Sequence, residues 1–302
     1  MPGSTRSSES KSAVRGTMGT LQTRRWYLIP GLVFLIGIDL VPLIYSVGVS
    51  LFNWWLVRPQ EIRFLGLGNY LALVGDPTFR RAVVVTGVFT VGSVLVELLA
   101  GLALALLFAQ PFSFLRPIRA VLLLPLFVVP VVGATMWRLI LHPDMGVVNY
   151  YLNVLGLGQP AWLGEPTLAM IAIVLVDAWR TIPFMFLVIH AGLETLPAEL
   201  YEAARVDGAS WLQSFRFITV PLLTYVILLA VLIRGMDAFR EFDIIFVLTG
   251  GGPGTATETI QLLNYRIFGL GHMGTANAVG IVTLVLVALM CFLLIRAILR
   301  PR

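Results

Sequence analysis

Long apolar runs alternate with short polar segments along the chain after its first 25 residues. A helix that spans a membrane needs about 20 mostly apolar residues. Six runs have that length, and they cover residues 28–52, 81–109, 119–141, 167–190, 221–246 and 274–298. Prolines inside several runs do not exclude spanning helices, because neighbouring helices can satisfy the freed backbone groups. The pattern predicts an all-α integral membrane protein with six transmembrane helices.

The composition also favours a protein that crosses a membrane several times. Hydrophobic residues make up 58% of the 302 positions and charged residues only 12%, whereas soluble domains carry roughly 25% charged residues. The single cysteine, Cys291, cannot form an internal disulfide. The three histidines lie far apart, show no metal-binding spacing and are expected at helix ends or in loops. We therefore predict neither a disulfide nor a metal site.

The distribution of basic residues predicts which helix ends face the cytoplasm. Residues 1–25 are rich in Ser and Gly and carry five basic side chains, which indicates a disordered basic tail before a retained first helix. With this tail inside, the inner segments hold twelve basic residues and the outer segments five. Since cytoplasmic loops collect Lys and Arg, both termini and the polar segment 191–220 are expected in the cytoplasm.

The polar segment between the fourth and fifth spans predicts two short helices joined by a sharp bend. Pro197 suits the first turn of a helix, where its missing N–H leaves no bond unmade, and strong helix formers follow it. Asp207 and Gly208 are a turn signal, after which a second short helix leads to Pro221 and the next span. An apolar stripe on this second helix is compatible with packing beneath the protein's own spans or against a partner.

The residues EAARVDGASWLQSFRFITVP, from Glu202 to Pro221, resemble the EAA loop of ABC-importer permeases. The motif consists of Glu-Ala-Ala, three residues, Gly, nine residues, Ile, one residue, Leu and Pro, and Val220 here replaces the Leu. Tyr225 stands where a second proline is frequent. The resemblance implies a type I ABC importer permease fold in residues 26–302, with a cytoplasmic coupling helix in the EAA loop, 195–221. It assigns ATPase coupling to Glu202, Ala203, Ala204, Asp207 and Gly208.

A coupling role requires a separate motor, because a Walker A phosphate loop needs a lysine and Lys11 in the tail is the only lysine. The resemblance implies a heterodimer with a second permease subunit, two cytoplasmic ATPase subunits that bind ATP and Mg, and an extracytoplasmic sugar-binding protein. This chain would then be a subunit without enzymatic activity or cofactor of its own, in a bacterial cell membrane.

Two further stretches, FDIIFVLTGGGPGTAT and AWLGEPTLAM, are similar to carbohydrate permeases of the maltose type. The glycine-rich segment 248–259 lacks the lysine of a phosphate loop, and it is predicted to be a flexible turn that ends the fifth span outside. Between the third and fourth spans, Gly, Pro, Trp and Tyr are mixed in a way typical of the membrane–water boundary. A short helix at the outer surface is expected there, around 146–155.

Charged residues inside spans are costly in a membrane and are therefore functional candidates. Asp177 and Arg180 share one face of the fourth span. The fifth span carries a second charged face, with Arg234, Asp237 and Glu241 at helical spacing. The two faces are expected to meet around a wet cavity. Charge-assisted hydrogen bonds there could hold sugar hydroxyls, but the same residue types suit a proton relay or a structural ion-pair network.

The resemblance to maltose-type permeases favours the sugar site, because the corresponding stretches line the sugar site in that family. The lining carried over by position is Asp177, Arg180, Thr181, Phe184, Arg234, Asp237, Ala238 and Glu241. It is more charged than the family pattern, which leaves a disaccharide such as trehalose or maltose, an oligosaccharide or a polyol phosphate open. Asp39 and Glu97, which also lie in spans, are expected only to pair between helices.

The predicted function is therefore the permease subunit of an ATP-driven sugar importer. A proton-coupled secondary transporter is the alternative, although six spans without an evident inverted repeat are not typical of one. A membrane enzyme is the weakest interpretation, since no metal motif or catalytic carboxylate pair at a membrane surface is evident.

Overall fold

A computed structural model describes residues 29–109 and 115–299, and these residues are mostly helical. Five helices are long and apolar enough to cross a membrane: Pro30–Ser50, Pro77–Phe108, Pro166–Glu194, Trp211–Phe239 and Met273–Ala297. With one bent pair of helices counted as a span, the described chain has six candidate spans, which confirms the predicted fold class. The predicted basic tail, residues 1–25, lies outside the described residues.

The described helices are numbered in chain order. They are α1 (Ile29–Ser50), α2 (Gly68–Gly75), α3 (Pro77–Phe108), α4 (Leu115–Leu123), α5 (Pro130–Ile140), α6 (Val147–Val154), α7 (Pro166–Glu194), α8 (Ala198–Val206), α9 (Trp211–Ser214), α10 (Val220–Phe239), α11 (Asp243–Leu248), α12 (Ile260–Gly269) and α13 (Met273–Ile298). Two short strands, β1 (Phe52–Asn53) and β2 (Arg63–Phe64), form an antiparallel hairpin between α1 and α2.

Helices α3 and α7 pack against each other at the centre of the bundle, and α10 lies against both. Gly101 of α3 permits this close packing, because a Cβ at that position would lie 2.6 Å from the Cβ of Met185 and 3.0 Å from the backbone nitrogen of Phe186. Phe186 and Ile189 of α7 are fully buried beside this contact. The core therefore depends on one position in α3 that has no side chain.

We expect Gly101→Ala to destabilise the protein by about 1–3 kcal/mol, because the added methyl group meets backbone atoms that cannot rotate away. Gly87 provides a matched control on the same helix, since a Cβ there meets nothing within 4 Å. Gly87→Ala should be neutral or slightly stabilising. Thermal unfolding of the detergent-purified variants measures both effects, and an unfolding temperature unchanged by Gly101→Ala would contradict the packing argument.

The third predicted span, 119–141, is not one straight helix. A turn of 3-10 helix, Leu124–Phe127, ends the first segment, and Pro130 begins the second at an angle of 101°. Val129 has extended backbone torsions, φ −59° and ψ 132°, because the ring of the following proline disfavours the helical region for the residue before it.

The fifth predicted span, 221–246, differs from the structure at both ends. The helix begins at Trp211 and ends at Phe239, so Pro221 lies inside it. A single π-helical turn, Phe215–Thr219, lies within this span and immediately precedes α10. Proline cannot donate to the preceding turn and its ring crowds that turn, and a π-helical turn loosens the local hydrogen-bond pattern where the proline enters.

The segment before α7 contains the expected short helix, α6, at Val147–Val154. One buried side chain, Asn149, connects this helix to the chain on both sides. Its amide nitrogen donates to the carbonyls of Pro143 at 2.9 Å and Pro160 at 3.1 Å, and its oxygen accepts from the Trp162 indole at 2.8 Å. The helix is thereby fixed to the start of α7.

The glycine-rich segment 248–259 forms a turn, as predicted, but the turn is packed and does not end the fifth span. That span ends before α11, and Thr257 and Glu258 are buried. The Thr257 hydroxyl donates to the Gly252 carbonyl at 2.7 Å, and Arg266 pairs with Glu258. Glycine content predicts a turn, but hydrogen bonds from the side chains of Thr257 and Arg266 hold this turn in place.

Candidate functional site

Five charged side chains from three helices and the segment after α10 meet inside the described bundle. Glu97 comes from α3, Asp177 and Arg180 from α7, Arg234 from α10, and Glu241 from the residues just beyond α10. The group of three carboxylates and two guanidinium groups is called the charge cluster below. With every member ionised, its net charge is three negative against two positive, or −1.

Arg234 forms the buried half of the charge cluster. Its Nε donates to Oε2 of Glu97 at 2.7 Å and its Nη2 to Oε1 at 2.9 Å, a two-point contact. The same Nη2 also pairs with Oδ2 of Asp177. The side chains of Glu97 and Asp177 are 0% exposed and that of Arg234 is 2% exposed, so these three groups pair with one another out of contact with solvent.

Arg180 forms the other half and extends to the surface of the bundle. Its Nη2 lies 3.5 Å from Oδ1 of Asp177 and 3.5 Å from Oε2 of Glu241. Arg180 is 18% exposed and Glu241 is 10% exposed. The other oxygen of Glu241 accepts the backbone N–H of Ile244 at 3.1 Å in the first turn of α11. Arg180 and Glu241 are therefore the members that an incoming molecule could reach.

The structure brings the charged faces of the fourth and fifth spans together, as the sequence predicts, but they pair mostly out of contact with solvent instead of around a wet cavity, and Asp237 is not among them. That side chain is 59% exposed and contacts Arg240 at 3.4 Å, away from the charge cluster. Arg234, one turn earlier, points into the bundle. Glu241 reaches the cluster because α10 ends at Phe239 and the chain changes direction, so its spacing from Arg234 is not that of a continuous helix.

The remaining residues of the predicted lining lie around the cluster with different exposures. Thr181 is buried and its hydroxyl donates to the Asp177 carbonyl at 2.6 Å. Ala238 is buried in an apolar cluster with Ile244. Phe184, one turn beyond Arg180, is half-buried. The partly exposed members of the predicted lining around the cluster are therefore the aromatic ring of Phe184 and the charged pair Arg180 and Glu241.

The polar segment after α7 folds as the predicted pair of short helices with a bend. Gly208 makes the bend with φ +77°, a left-handed backbone conformation that favours glycine. Ser210 caps α9, because its hydroxyl accepts the Gln213 N–H at 3.3 Å and its own N–H bonds to the Gln213 side chain at 2.6 Å. Helix α8 contains no buried residue.

The outer surface of this helix pair carries exposed apolar side chains. Val206 is 88% exposed and Trp211 is 67% exposed. Behind it, the Tyr201 hydroxyl and the Thr219 hydroxyl lie 2.9 Å apart. This bond connects α8 to the base of α10, so a displacement of α8 would be felt by the helix that carries Arg234.

Residues 98–302 match the protein family described as "Binding-protein-dependent transport system inner membrane component". The chain belongs to this family. It is thus a multi-pass inner membrane protein and a permease component of an ABC transporter, a class whose members are not themselves enzymes. The matched region contains the whole charge cluster except Glu97, together with α8 and α9.

Curated relatives agree with this assignment, and a solved structure has a similar fold. The permease is 39% identical over 260 residues to the trehalose/maltose transport system permease protein MalF of Thermococcus litoralis, covering 86% of this chain and 88% of the relative. It is 33% identical over 269 residues to the trehalose transport system permease protein SugA of Mycobacterium tuberculosis, covering 88% and 85%. Its fold is similar to a chain in the crystal structure of a bacterial ABC transporter involved in import of the acidic polysaccharide alginate. That match has a TM-score of 0.78 at 24% identity and covers 93% of this chain and 98% of the other.

Two contacts of the permease were not predicted in full. Glu97 pairs between helices as expected, but the sequence did not predict that it belongs to the charge cluster. The sequence feature that could have indicated this is that Glu97 is the one acidic residue of the apolar helix α3. His190 is buried inside α7 instead of lying at a helix end or in a loop, and it contacts Arg119 of α4. No periodicity connects two residues that are 71 positions apart.

Proposed function

We propose that this permease carries a sugar into the cytoplasm as the pathway subunit of an ATP-driven importer. A disaccharide such as trehalose or maltose, or an oligosaccharide, is the proposed substrate, and the names of two relatives support this class. The proposed partners are a second permease subunit, two cytoplasmic ATPase subunits that bind ATP and Mg, and an extracytoplasmic sugar-binding protein. Both termini are proposed to face the cytoplasm, which the bias of basic residues supports.

The observation that carries the proposal is the exposed, bent helix pair α8–α9. A helix without a buried residue gains little from its own protein, and its exposed apolar side chains are better explained by a partner. The chain has one lysine, Lys11, outside any phosphate-loop motif, so ATP hydrolysis has to come from another subunit. The residues proposed to couple the two are Glu202, Ala203, Ala204, Asp207 and Gly208.

The sugar is proposed to pass the partly exposed edge of the charge cluster. Arg180 donates and Glu241 accepts hydrogen bonds, which together match the donor and acceptor character of sugar hydroxyl groups. Phe184 offers an aromatic face nearby. Behind this edge, the buried residues support it: Asp177, Thr181, Arg234 and Ala238. For Asp237, which lies on the exposed side, contact with substrate stays a prediction.

The test is reconstitution of the permease in liposomes with all of its proposed partners and a panel of sugars. ATP-dependent uptake of a disaccharide or oligosaccharide that also requires the binding protein is the expected result. Uptake by the permease alone in a proton gradient would establish the secondary transporter instead. ATP-dependent uptake restricted to a polyol phosphate would retain the importer and exclude the proposed substrate class.

Arg180→Ala is expected to lower sugar-stimulated ATP hydrolysis in this system by about tenfold or more, because hydrogen bonds to a charged group contribute about 1.5–3 kcal/mol. Arg240→Ala is the matched control, since Arg240 is 58% exposed and lies outside the charge cluster. The two variants should assemble equally well with the partner subunits. Hydrolysis rates that are the same in both would count against a substrate contact at Arg180.

A further inference from the structure

We propose that Glu97 is a positioning residue that determines where Arg180 lies. In this arrangement Glu97 holds Arg234 inside the bundle, Asp177 is shared between Arg234 and Arg180, and Arg180 is thereby kept at the partly exposed edge of the charge cluster. The effect on transport rests on the proposed function, whereas the position of Arg180 is measurable without any substrate.

Arg234 is oriented mainly by hydrogen bonds to Glu97 of α3. A guanidinium group that donates two parallel bonds to one carboxylate is fixed in plane and direction. Arg234 has this relation with Glu97, at 2.7 Å and 2.9 Å, and only its Nη2 is directed to Asp177. Its Nη1 has no hydrogen-bond partner among the described residues. Glu97 therefore sets the orientation, and Asp177 completes it.

Arg180 is positioned through Asp177, because the two carboxylate oxygens of Asp177 contact different arginines. Oδ2 pairs with Arg234, and Oδ1 lies 3.5 Å from Arg180. Glu241, the second partner of Arg180, is also at 3.5 Å and is itself partly exposed. The two oxygens of Asp177 can pair with different arginines because Arg234 already has a second carboxylate partner, Glu97.

Loss of the Glu97 charge would change how Asp177 is shared between Arg234 and Arg180. Arg234, 2% exposed, would then have Asp177 as its sole carboxylate, and a buried charge without full compensation is strongly unfavourable. Asp177 would be drawn to Arg234. Arg180 would keep only the looser contact with Glu241 and would move more freely at the edge of the bundle.

The position of Arg180 can be measured by reaction with phenylglyoxal, a neutral reagent for arginine, followed by peptide mass spectrometry. The assembled transporter is used in lipid without sugar. Glu97→Gln is expected to raise modification of Arg180 by about tenfold, the effect of losing one charge-assisted bond. Modification of Arg240, the 58% exposed reference, should not change. Glu194→Gln, which alters a 65% exposed acidic residue of α7, should leave Arg180 as in the unaltered protein.

A second variant separates positioning from a general packing defect. Glu97→Gln combined with Arg234→Gln removes both members of the buried pair and leaves Asp177 entirely to Arg180. Modification of Arg180 should then fall below that of the unaltered protein. Equal modification of Arg180 in Glu97→Gln and the unaltered protein, or an increase in the double variant, would overturn the proposal.

If Glu97→Gln does not assemble, the double variant and Glu97→Asp take its place. Glu97→Asp keeps the charge and should label Arg180 within about twofold of the unaltered protein, and a larger increase would overturn the proposal. The outcomes also distinguish the two proposals. A labelling shift in a transporter that moves no sugar would support positioning and refute the proposed function, whereas sugar uptake with unshifted labelling would do the reverse.

Discussion

Glu202→Lys combined with Gly208→Pro is expected to reduce both ATP-driven uptake and sugar-stimulated ATP hydrolysis to background. The lysine reverses the charge on an exposed position of α8. Gly208 has φ +77°, and proline holds φ near about −65°, so the bend between α8 and α9 cannot form. Both changes act on a surface that the permease itself does not bury, which is why the loss should appear in coupling.

The measurement is uptake and ATP hydrolysis in liposomes that contain all subunits, with gel filtration to show whether the ATPase subunits remain bound. Glu61→Lys is the control, because Glu61 is similarly charged, 58% exposed and pairs only with Arg58 in the described residues. It should behave as the unaltered permease. Hydrolysis at the normal rate in the double variant would exclude coupling through α8.

Arg234→Ala is expected to destabilise the permease by about 3–5 kcal/mol, the cost of leaving buried ion-pair partners uncompensated. Glu97 and Asp177 are each 0% exposed, and among the described residues neither has another cation as close as Arg234. Because native proteins are stable by only about 5–15 kcal/mol, this loss should lower the yield of folded protein as well as its unfolding temperature.

Thermal unfolding in detergent checks this expectation, with Arg240→Ala as the control for loss of an exposed arginine. A third variant tests the cause. Replacing the three charges together, by Glu97→Gln, Asp177→Asn and Arg234→Met, should recover much of the lost stability, since removing a whole buried ion group is less costly than breaking it. An Arg234→Ala protein as stable as the control would show that the pairing contributes little.

The spans and the meeting of their charged faces could be predicted because both follow from local sequence. About 20 apolar residues are sufficient to predict a spanning helix, and charged faces on two spans have to meet if neither is to face lipid. That argument predicted that the two faces meet, and in the structure Asp177 contacts Arg234. It placed Asp237 wrongly beside them, because a shared helical spacing with Arg234 does not show that a side chain in the last turn of α10 also faces the bundle; Asp237 is 59% exposed and pairs with Arg240.

Features that depend on packing between distant segments could not be predicted. The end of α10 and the change in direction that carries Glu241 to Arg180 depend on α11, which lies against α5 and α7. The packing of the glycine-rich segment depends on Arg266. For Glu97 the sequence showed only an isolated acidic residue, and its partner, Arg234, is 137 positions away.

That separation of 137 positions has a consequence for how the protein is made. At about 5–20 residues per second, roughly 7 to 27 seconds pass between the synthesis of Glu97 and that of Arg234. During that interval α3 carries a lone carboxylate, and a charged side chain at the centre of a membrane helix costs about 2.5–3.5 kcal/mol on insertion scales. An 18-residue stretch of α3 is apolar enough to offset this cost, with a mean hydropathy of 2.3. The newly made chain therefore carries this carboxylate without its partner until α10 is made, and a chain that stops short of α10 never acquires that partner.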